Sequence, residues 1–447
     1  MKLAFIVQRY GTEILGGSEY HCRLIAERLA LRHEVEVLTT CAQDYVTWKN
    51  AYPEGEDRVR GVTVRRFANS ETRDIKEFNK FSDWIFHNPH TDDDEVEWLR
   101  RQGPWCPALI KYLEQYATTY DALIFFTYLY APTVLGLRVA PSRSILVPTA
   151  HDEPAIQLKI YRDMFTLPAG IAYNTAVERH FLKSNFTIRA VSEEIVGCGV
   201  DLPQLQDYRK RTATTPTATS STNVSQDLDE KTKLDQRDHN RPQALQTGNE
   251  AFRRRYRLHG PIVLYGGRID PGKGCEELIE YFGSYREGGG DATLTLMGAK
   301  LMPLPEEPFI RFAGLLPDRE RVQALEAATV VVVPSPLESL SLLALESFAV
   351  GTPILANARS DVLVSHCRQS NAGLYYADRD EFVECLKLLL LDKRLRTAMG
   401  IQGRNYVRRN YRWDVILGKY ERMIATVRGP SLATANKRQR DSSGRRQ

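Results

Sequence analysis

A regular alternation between short β-branched segments and longer amphipathic segments constrains the fold of this chain more than any other feature. In the first half, helix-like segments such as 18–32 separate the strand-like ones. The strand candidates there are 2–8, 33–40, 62–67, 122–129, 143–150 and 170–175. Strands that alternate with helices predict crossover connections and a parallel sheet.

The same alternation restarts after residue 260. The strand candidates of the second half are 261–267, 293–299, 309–314, 330–335, 353–357 and 373–377. Two successive units of similar size predict an α/β protein with two Rossmann-like domains that face each other.

Composition excludes several classes of protein. The 447 residues are 43% hydrophobic and 26% charged, as in ordinary globular chains, and the formal net charge of +4 gives no reason to predict nucleic acid as a partner. The seven cysteines never form a CxxC pair, which favours reduced thiols over disulfides or a zinc site. Because we find neither a secretory signal nor a run of ~20 apolar residues, we expect a cytoplasmic protein.

Two segments differ in composition from the rest. Residues 209–250 lack aromatic side chains and are rich in Thr, Ser, Gln and Asp, so we expect 208–250 to be a disordered insertion or linker. The domains are then 1–207 and 251–410, followed by a helix at 411–428. Residues 429–447 are expected to form a disordered basic tail, either solvated or in weak peripheral contact with anionic lipid at the inner membrane face.

Three consecutive aspartates in "TDDDEVEW" (91–98) suggest a metal site at first sight. Adjacent side chains on a helix diverge, however, and acidic side chains are favourable at a helix N-terminus. We therefore interpret Asp92–Asp94 as a helix start and predict no metal site.

Glycines precede the first helix. In "ILGGSEYHCRL" (14–24), Gly16 and Gly17 lie between the first strand and a helix. Glycine lets backbone approach a ligand, and the N–H groups of a helix N-terminus attract phosphate. The alternative is a tight turn in which Ser18 is the N-cap.

A second glycine-rich stretch carries two cations. In "LYGGRIDPGKGCEEL" (264–278), Arg268 follows Gly267 at the end of a strand, and Lys273 lies five residues later, before a helix near Cys275. Ligands of open parallel sheets bind outside the carboxyl ends of the strands. Arg268 and Lys273 suit a diphosphate there; solvated surface charges are the alternative.

Two glutamates interrupt the apolar segment "ESLSLLALESFAVGTPILA" (338–356). We expect a helix to begin near Ser339 or Leu340, with Glu338 at its entrance and Glu346 two turns inside. Eight residues of continuous helix rise ~12 Å, similar to the distance between the sugar and the ribose of a nucleotide sugar. A favourable charge at the helix N-terminus would explain Glu338 but not Glu346.

These motifs together resemble the retaining glycosyltransferases of family 4, which have the GT-B fold. The resemblance rests on "GGSE", "GGRIDPGKG" and the segment from Glu338, together with "IAYNTAVERHFL" (171–182) and "VSEEIVGCGVD" (191–201). It covers roughly residues 1–207 and 251–425. Many relatives have Phe-Gly after the first glutamate, where this chain has "ESLSL", and the insertion has no counterpart.

The resemblance implies a donor site in the C-terminal domain and an acceptor site in the N-terminal one. It assigns the diphosphate to Arg268 and Lys273, the transferred sugar to Glu338 and the ribose hydroxyls to Glu346. The implied donor-binding residues are Gly16, Gly17, Gly267, Arg268, Lys273, Glu338, Ser339, Leu340, Ser341 and Glu346. The implied catalytic residues are His151, Glu338, Arg268 and Lys273.

His151 in "PTAHDEP" follows a predicted strand of the N-terminal domain, where the family often has a histidine near the reacting centre. An imidazole can orient a sugar hydroxyl. An ordinary surface histidine is the alternative. The last helix, in the family, crosses back onto the N-terminal domain, and the apolar positions 413, 415–417, 420, 423 and 424 fit a packed face.

The expected function is transfer of a sugar, hexosyltransferase-type, from a nucleotide diphosphate sugar to an acceptor hydroxyl with retention of anomeric configuration. No metal or cofactor is expected besides this co-substrate. The acceptor is a saccharide, a lipid-linked saccharide or a small molecule. The alternatives are another GT-B enzyme, such as a sugar epimerase or phosphorylase, and a non-catalytic regulatory protein that binds a nucleotide sugar.

Overall fold

The computed structural model describes residues 1–14, 16–201 and 243–429. Within the last range, it describes only the backbone of residues 243–248. In the N-terminal domain, the described strands form one sheet in the order β3-β4-β2-β1-β5-β6-β7-β8. All pairs are parallel except β3 with β4. The strands are β1 (Lys2–Ile6), β2 (Glu34–Thr40), β3 (Gly55–Val59), β4 (Val62–Phe67), β5 (Ala122–Phe126), β6 (Ser144–Val147), β7 (Gly170–Tyr173) and β8 (Ser192–Ile195).

The C-terminal domain contains a second sheet, parallel throughout its described strands, in the order β11-β10-β9-β12-β13-β14. These strands are β9 (Ile262–Gly266), β10 (Thr293–Met297), β11 (Ile310–Gly314), β12 (Val330–Val333), β13 (Ile354–Asn357) and β14 (Gly373–Tyr376). The central strand β12, "VVVV", is buried along its whole length, as expected for a parallel strand covered on both faces.

Helices cover both sheets. Those of the N-terminal domain are α1 (Gly17–Leu29), α2 (Ile75–His87), α3 (Asp92–Gln102), α4 (Pro107–Tyr116), α5 (Ala131–Gly136), α6 (Lys159–Met164) and α7 (Ala176–Asn185). They are followed by α8 (Gln243–Arg255), α9 (Cys275–Glu287), α10 (Asp318–Ala327), α11 (Leu342–Val350), α12 (Asp361–Ser370), α13 (Arg379–Leu391), α14 (Lys393–Asn410) and α15 (Trp413–Arg428). Among the described residues, no helix is long and apolar enough to cross a bilayer.

The structure confirms every strand predicted from the alternation and adds two. Strand β3 ("GEDRV") is mostly exposed, and β8 ("SEEI") has no fully buried residue. Both lie at the edges of the first sheet. Edge strands of this kind lack the apolar run that marks a central strand, which is why the sequence pattern does not reveal them.

The prediction that residues 208–250 form a disordered insertion is wrong for the C-terminal end of that range. Residues 243–250 belong to α8, which packs against α10. The Arg253 guanidinium donates to the Ala327 carbonyl at 2.9 Å, and Phe252 is buried in the core. The C-terminal domain therefore begins at α8 rather than at residue 251. The rest of the predicted insertion and the predicted tail from residue 430 lie outside the described residues.

The acidic run at 92–94 forms the first turn of α3. Thr91 is the N-cap, and its hydroxyl accepts from the Asp94 amide while the Asp94 carboxylate accepts from the Thr91 amide. This reciprocal pair is a capping box, so the interpretation as a helix start is confirmed.

The final helix packs on the N-terminal domain. Helix α15 contacts β5–β8 and α1, and its buried residues are Ile416, Leu417, Tyr420, Met423, Ile424 and Val427. One apolar cluster runs from the first sheet through this helix into the second sheet. The predicted return of the C-terminal helix is confirmed, and it joins the two domains into one hydrophobic core.

We expect Ile424→Ala to destabilise the N-terminal domain by about 2–5 kcal/mol, because Ile424 is fully buried against that domain. Four of the five tryptophans belong to the N-terminal domain and the fifth is Trp413 of α15, so urea unfolding followed by tryptophan fluorescence reports on this packing. Thr426→Ala, on the exposed face of α15, is the matched control and should change the free energy of unfolding by less than about 0.5 kcal/mol. If Ile424→Ala had the same free energy of unfolding as the control, the packing of α15 on the N-terminal domain would be contradicted.

Candidate functional site

Loops at the carboxyl ends of both sheets meet between the two domains. The Arg268 guanidinium of the C-terminal domain lies 5.0 Å from the centre of the Tyr45 ring of the N-terminal domain. Asn174 Nδ2 donates to Ser339 Oγ at 3.3 Å across the same boundary. These contacts define a cleft where ligands of open α/β sheets are expected to bind.

The loop after β9 holds two cations in fixed positions. Asp270 caps a single 3₁₀ turn, Pro271–Lys273, and accepts from the Lys273 amide at 2.9 Å. Its second carboxylate oxygen lies 3.3 Å from Arg268 Nε. One aspartate thus orients both Arg268, which directly follows Gly267, and the turn that carries Lys273.

Gly274 ends this turn in the left-handed region, with φ of 73°. A Cβ atom at this position would lie 2.4 Å from the carbonyl oxygen of Pro334, in the loop after β12. Only glycine permits this approach without a shift of the backbone. The loops that follow β9 and β12 are therefore in direct contact.

That contact brings Lys273 and Glu338 together. Lys273 Nζ donates to Glu338 Oε1 at 2.8 Å and to Ser335 Oγ at 3.4 Å. The Lys273 side chain is 30% exposed and that of Glu338 16%, so the pair is partly buried at the cleft. The structure thus places Lys273 and Glu338, two of the predicted donor-site residues, side by side.

The helix that carries Glu346 begins later than the sequence suggests. Ser341, not Ser339, is the N-cap of α11, and its φ of 62° turns the chain sharply before Leu342. Glu338 therefore lies in the loop before the helix, and the rise of a continuous helix does not set its distance from Glu346. The expected helix start at Ser339 or Leu340 is wrong because Ser341 interrupts the helical backbone.

Leu340 is held from the opposite side of this loop. Its side chain is buried in the core rather than in the cleft, and its carbonyl oxygen lies 2.8 Å from Nε2 of His366. Burial lowers the pKa of His366 to about 4, so the imidazole is neutral near pH 7. Its other ring nitrogen lies 3.0 Å from the Tyr406 hydroxyl.

Glu346 forms a separate cluster one turn inside α11. Its carboxylate oxygens lie 2.9 and 3.0 Å from Nη1 of Arg321, and burial raises the pKa of Glu346 above its ordinary value. Arg321 Nη2 donates to the hydroxyl of Tyr20 in α1 at 2.6 Å. This guanidinium therefore joins Glu346 to the N-terminal domain.

Gly16 and Gly17 have different surroundings. Helix α1 begins at Gly17 with Gly16 as its N-cap, so Ser18 is not the N-cap. A Cβ atom on Gly16 would overlap the carboxylate of Glu19, which Arg9 holds with two hydrogen bonds of 2.9 and 2.6 Å. A Cβ atom on Gly17 would meet no protein atom within 4 Å. Of these two glycines, only Gly17 has open space beside its α-carbon.

His151 is three-quarters buried and lies beside an acidic side chain. Its Nδ1 is 3.3 Å from Oε1 of Glu153, which also accepts from the Tyr128 hydroxyl. Burial lowers the pKa of His151, but the Glu153 carboxylate outweighs this effect, so the pKa is raised. The charge of Lys273 across the cleft acts on His151 in the lowering direction. An ordinary surface histidine does not describe this position.

Several residues of the site were not predicted from the sequence. They are Tyr20, Tyr45, Glu153, Asn174, Asp270, Arg321 and His366. Glu153 and Asp270 belong to the same motifs as His151 and Arg268, so their nearness in the sequence is a signal from which they can be predicted. Tyr20, Tyr45 and Arg321 act through contacts between domains, for which the sequence carries no local pattern.

Comparison with known proteins agrees with this arrangement. Residues 249–406 match the family model described as glycosyl transferases group 1. The D-inositol 3-phosphate glycosyltransferase of Corynebacterium efficiens is 30% identical over 173 residues, 35% of this chain and 40% of that protein. A GDP-mannose-dependent alpha-(1-6)-phosphatidylinositol monomannoside mannosyltransferase of Mycobacterium tuberculosis is 27% identical over 187 residues, 38% of this chain and 48% of that protein. The alignments thus span less than half of either relative.

Solved structures resemble the chain over nearly its whole length. Anabaena HepE in complex with UDP and glucose superposes with a TM-score of 0.64 at 15% identity, covering 95% of this chain and 100% of that one. Sucrose-phosphate synthase from Thermosynechococcus elongatus gives a TM-score of 0.62 at 16% identity, with coverage of 95% and 98%. The chain therefore has the GT-B fold, and within it residues 249–406 are similar to the glycosyl transferases group 1 family.

Proposed function

We propose that this protein transfers a sugar from a nucleotide diphosphate sugar to an acceptor hydroxyl, with retention of anomeric configuration and without a metal ion. The observation that carries the proposal is the pair of Lys273 and Glu338, 2.8 Å apart, beside Arg268 at the carboxyl ends of β9 and β12. The HepE structure was solved with UDP and glucose, which supports a donor of this class. The names of the relatives motivate inositol phosphates and phosphatidylinositol mannosides as first acceptors to test.

The leaving diphosphate is the first requirement of this chemistry. An ammonium has three N–H donors, and those of Lys273 that contact Glu338 and Ser335 leave one for a phosphate oxygen. Arg268 supplies a planar guanidinium already oriented by Asp270. Preorganised cations of this kind stabilise the negative charge that develops on the leaving group, which is the work a divalent metal performs in other enzymes.

The two glutamates suit different parts of the donor. Positive charge develops on the transferred sugar as its glycosidic bond breaks, and the carboxylate of Glu338 lies next to the phosphate-binding cations. Glu346 is held in place by Arg321 and retains lone pairs that can accept from ribose hydroxyls. Glu338 therefore acts on the reacting sugar, whereas Glu346 anchors the nucleoside.

His151 faces this centre from the acceptor side. Glu153 lies 3.3 Å from Nδ1 of this ring, which leaves Nε2 to contact a sugar hydroxyl. We assign His151 the task of orienting the reacting hydroxyls. Gly17, which has open space beside its α-carbon, allows the diphosphate to approach the start of α1.

The function is tested by incubating the protein with UDP-, GDP- and ADP-sugars and acceptors of the classes named above, in buffer containing EDTA. We expect transfer in EDTA with at least one donor, and a product with the anomeric configuration of that donor by NMR. Activity that disappears in EDTA and returns with a divalent cation would contradict the metal-free mechanism. Release of free epimerised sugar without transfer would contradict the reaction type.

Glu346→Gln and Glu338→Gln are expected to affect different kinetic constants. Because ribose contacts are present before and during the reaction, Glu346→Gln should raise the donor KM by about 10- to 150-fold, from lost charged hydrogen bonds of about 1.5–3 kcal/mol, with a much smaller change in kcat. Glu338→Gln should lower kcat more than it changes KM. Steady-state kinetics of both variants measures the difference.

Glu320→Gln is the matched control for these two variants. Glu320 pairs with Arg255 at 2.7 Å on the outer surface of the same domain. Removal of that exposed pair should leave kcat and the donor KM unchanged. If Glu346→Gln and Glu338→Gln also retain the wild-type kcat/KM, the assignment of the two glutamates is wrong.

The pKa of His151 provides an independent check on its surroundings. We expect Glu153→Gln to lower this pKa below the ordinary value, because the raising effect of Glu153 disappears while burial remains. The titration of the His151 ring proton by NMR measures the change, with the signal assigned through His151→Gln. The exposed His87 provides the internal control in the same spectra. A His151 titration that is the same in both proteins would show that Glu153 does not act on it.

A further inference from the structure

A buried carboxylate lies behind the cleft, between two of its loops. Glu178 in α7 is 2% exposed. One of its oxygens accepts from the backbone amide of Ala150 at 2.6 Å, and the other accepts from the backbone amide of Asn174 at 2.5 Å. Ala150 directly precedes His151 in the loop after β6, whereas Asn174 lies in the loop after β7.

The position of Glu178 in its helix makes this arrangement unusual. Thr175 is the N-cap of α7, and Glu178 is the third residue of the helix, so "TAVE" has the spacing of a capping box. In a capping box the glutamate would accept from the N-cap amide, that of Thr175. Here the carboxylate instead extends one residue further back, to Asn174, and across to the neighbouring strand connection. Its hydrogen bonds therefore tie two loops together and do not serve the helix end.

The first loop carries His151 at the cleft, and the second contacts the loop that carries Glu338. Thr149 has a φ of 49°, so the chain turns sharply just before Ala150 and His151. A non-glycine residue in this conformation persists only where its surroundings hold it. On the other loop, the Asn174 side chain donates to Ser339 Oγ in the loop that carries Glu338.

We propose that Glu178 is a positioning residue that sets the His151 loop and the contact between Asn174 and Ser339 together, and so aligns the acceptor side with the donor side. The proposal rests on the proposed function. Glu178 does not reach the cleft itself, because its two oxygens are engaged by the backbone amides. It acts through the position of His151 and of the loop that carries Ser339.

The chemistry of the carboxylate is specific for this task. Burial raises the pKa of Glu178 to about 8. Two backbone N–H groups approach two different oxygens, both of which keep lone pairs whether the carboxyl is protonated or not, whereas a glutamine amide has only one accepting oxygen. In Glu178→Gln, one of the two amides would face an NH₂ group and lose its acceptor. The Glu178→Asp variant keeps both oxygens on a side chain that is shorter by one methylene.

Glu95 offers a matched control in the same domain. It is 5% exposed and likewise accepts from two backbone amides, those of Lys159 at 3.0 Å and Ile160 at 2.7 Å. These amides begin helix α6, which carries none of the proposed site residues. Glu95→Gln therefore removes an equivalent buried interaction without touching the cleft loops.

The test compares wild type, Glu178→Gln, Glu178→Asp and Glu95→Gln by steady-state kinetics with one nucleotide sugar donor. Displacement of a catalytic group by about 1 Å can reduce the rate by about 10²-fold. We expect Glu178→Gln to lower kcat by about ten- to hundredfold with less than a threefold change in the donor KM, since Arg268 and Glu346 make no contact with it. Glu178→Asp should retain more of kcat than Glu178→Gln. Glu95→Gln should lower the melting temperature but leave kcat and KM unchanged.

Hydrogen exchange gives a readout that does not depend on activity. Peptides covering 148–153 and 336–342 should exchange faster in Glu178→Gln than in wild type, and equally fast in Glu95→Gln and wild type. A wild type that transfers no sugar would refute the proposed function, and exchange would then decide the role of Glu178 alone. The proposal would be overturned by unchanged exchange in both peptides, or by a kcat of Glu178→Gln equal to that of Glu95→Gln. If Glu178→Gln does not fold, Glu178→Asp replaces it in both measurements.

Discussion

Parallel pairing of β9 with β12 is the constraint on which the site depends. Val263 and Leu264 of β9 lie opposite Val330 and Val331 of β12, so both strands end at the same edge of the sheet. Lys273 and Glu338, which are 65 residues apart in the chain, consequently leave that edge together and meet at 2.8 Å.

Basic groups offset the acidic side chains around the cleft. Arg9 holds Glu19, Lys273 holds Glu338, Arg321 holds Glu346, and Glu153 lies beside His151. Without these pairs, partly buried charges of the same sign would repel one another and destabilise the folded protein. The pairs keep the cleft close to neutral while each charged group stays in a fixed orientation. A ligand that carries a diphosphate adds negative charge to this balance beside the cations after β9.

The sequence predicts those parts of the structure that depend on local patterns. Strands such as β9 and β12 are apolar runs, and Arg268, Lys273 and Glu338 follow them within seven residues, so parallel pairing brings all three to one edge of the sheet. The start of α11 could not be predicted from the sequence. Ser341, which interrupts the helix, follows Leu340, and the carbonyl oxygen of Leu340 contacts His366 in a helix distant in the sequence. The sequence pattern does not reveal helix α8, because its composition is polar and, among its described side chains (249–255), only Phe252 is buried. Contacts such as that of Tyr20 with Arg321 depend on how two domains pack, which no periodicity within one segment records.

The bridge through Arg321 has a thermodynamic consequence. One guanidinium binds Glu346 through Nη1 and the Tyr20 hydroxyl of the opposite domain through Nη2. A ligand that draws the Glu346 carboxylate away from Arg321 changes the free energy of separating the domains at this point. Linkage is reciprocal, so an opening of the domains changes the affinity of Glu346 for that ligand by the same factor. If Glu346 takes the role proposed for it, nucleoside affinity and domain closure are two measures of a single equilibrium.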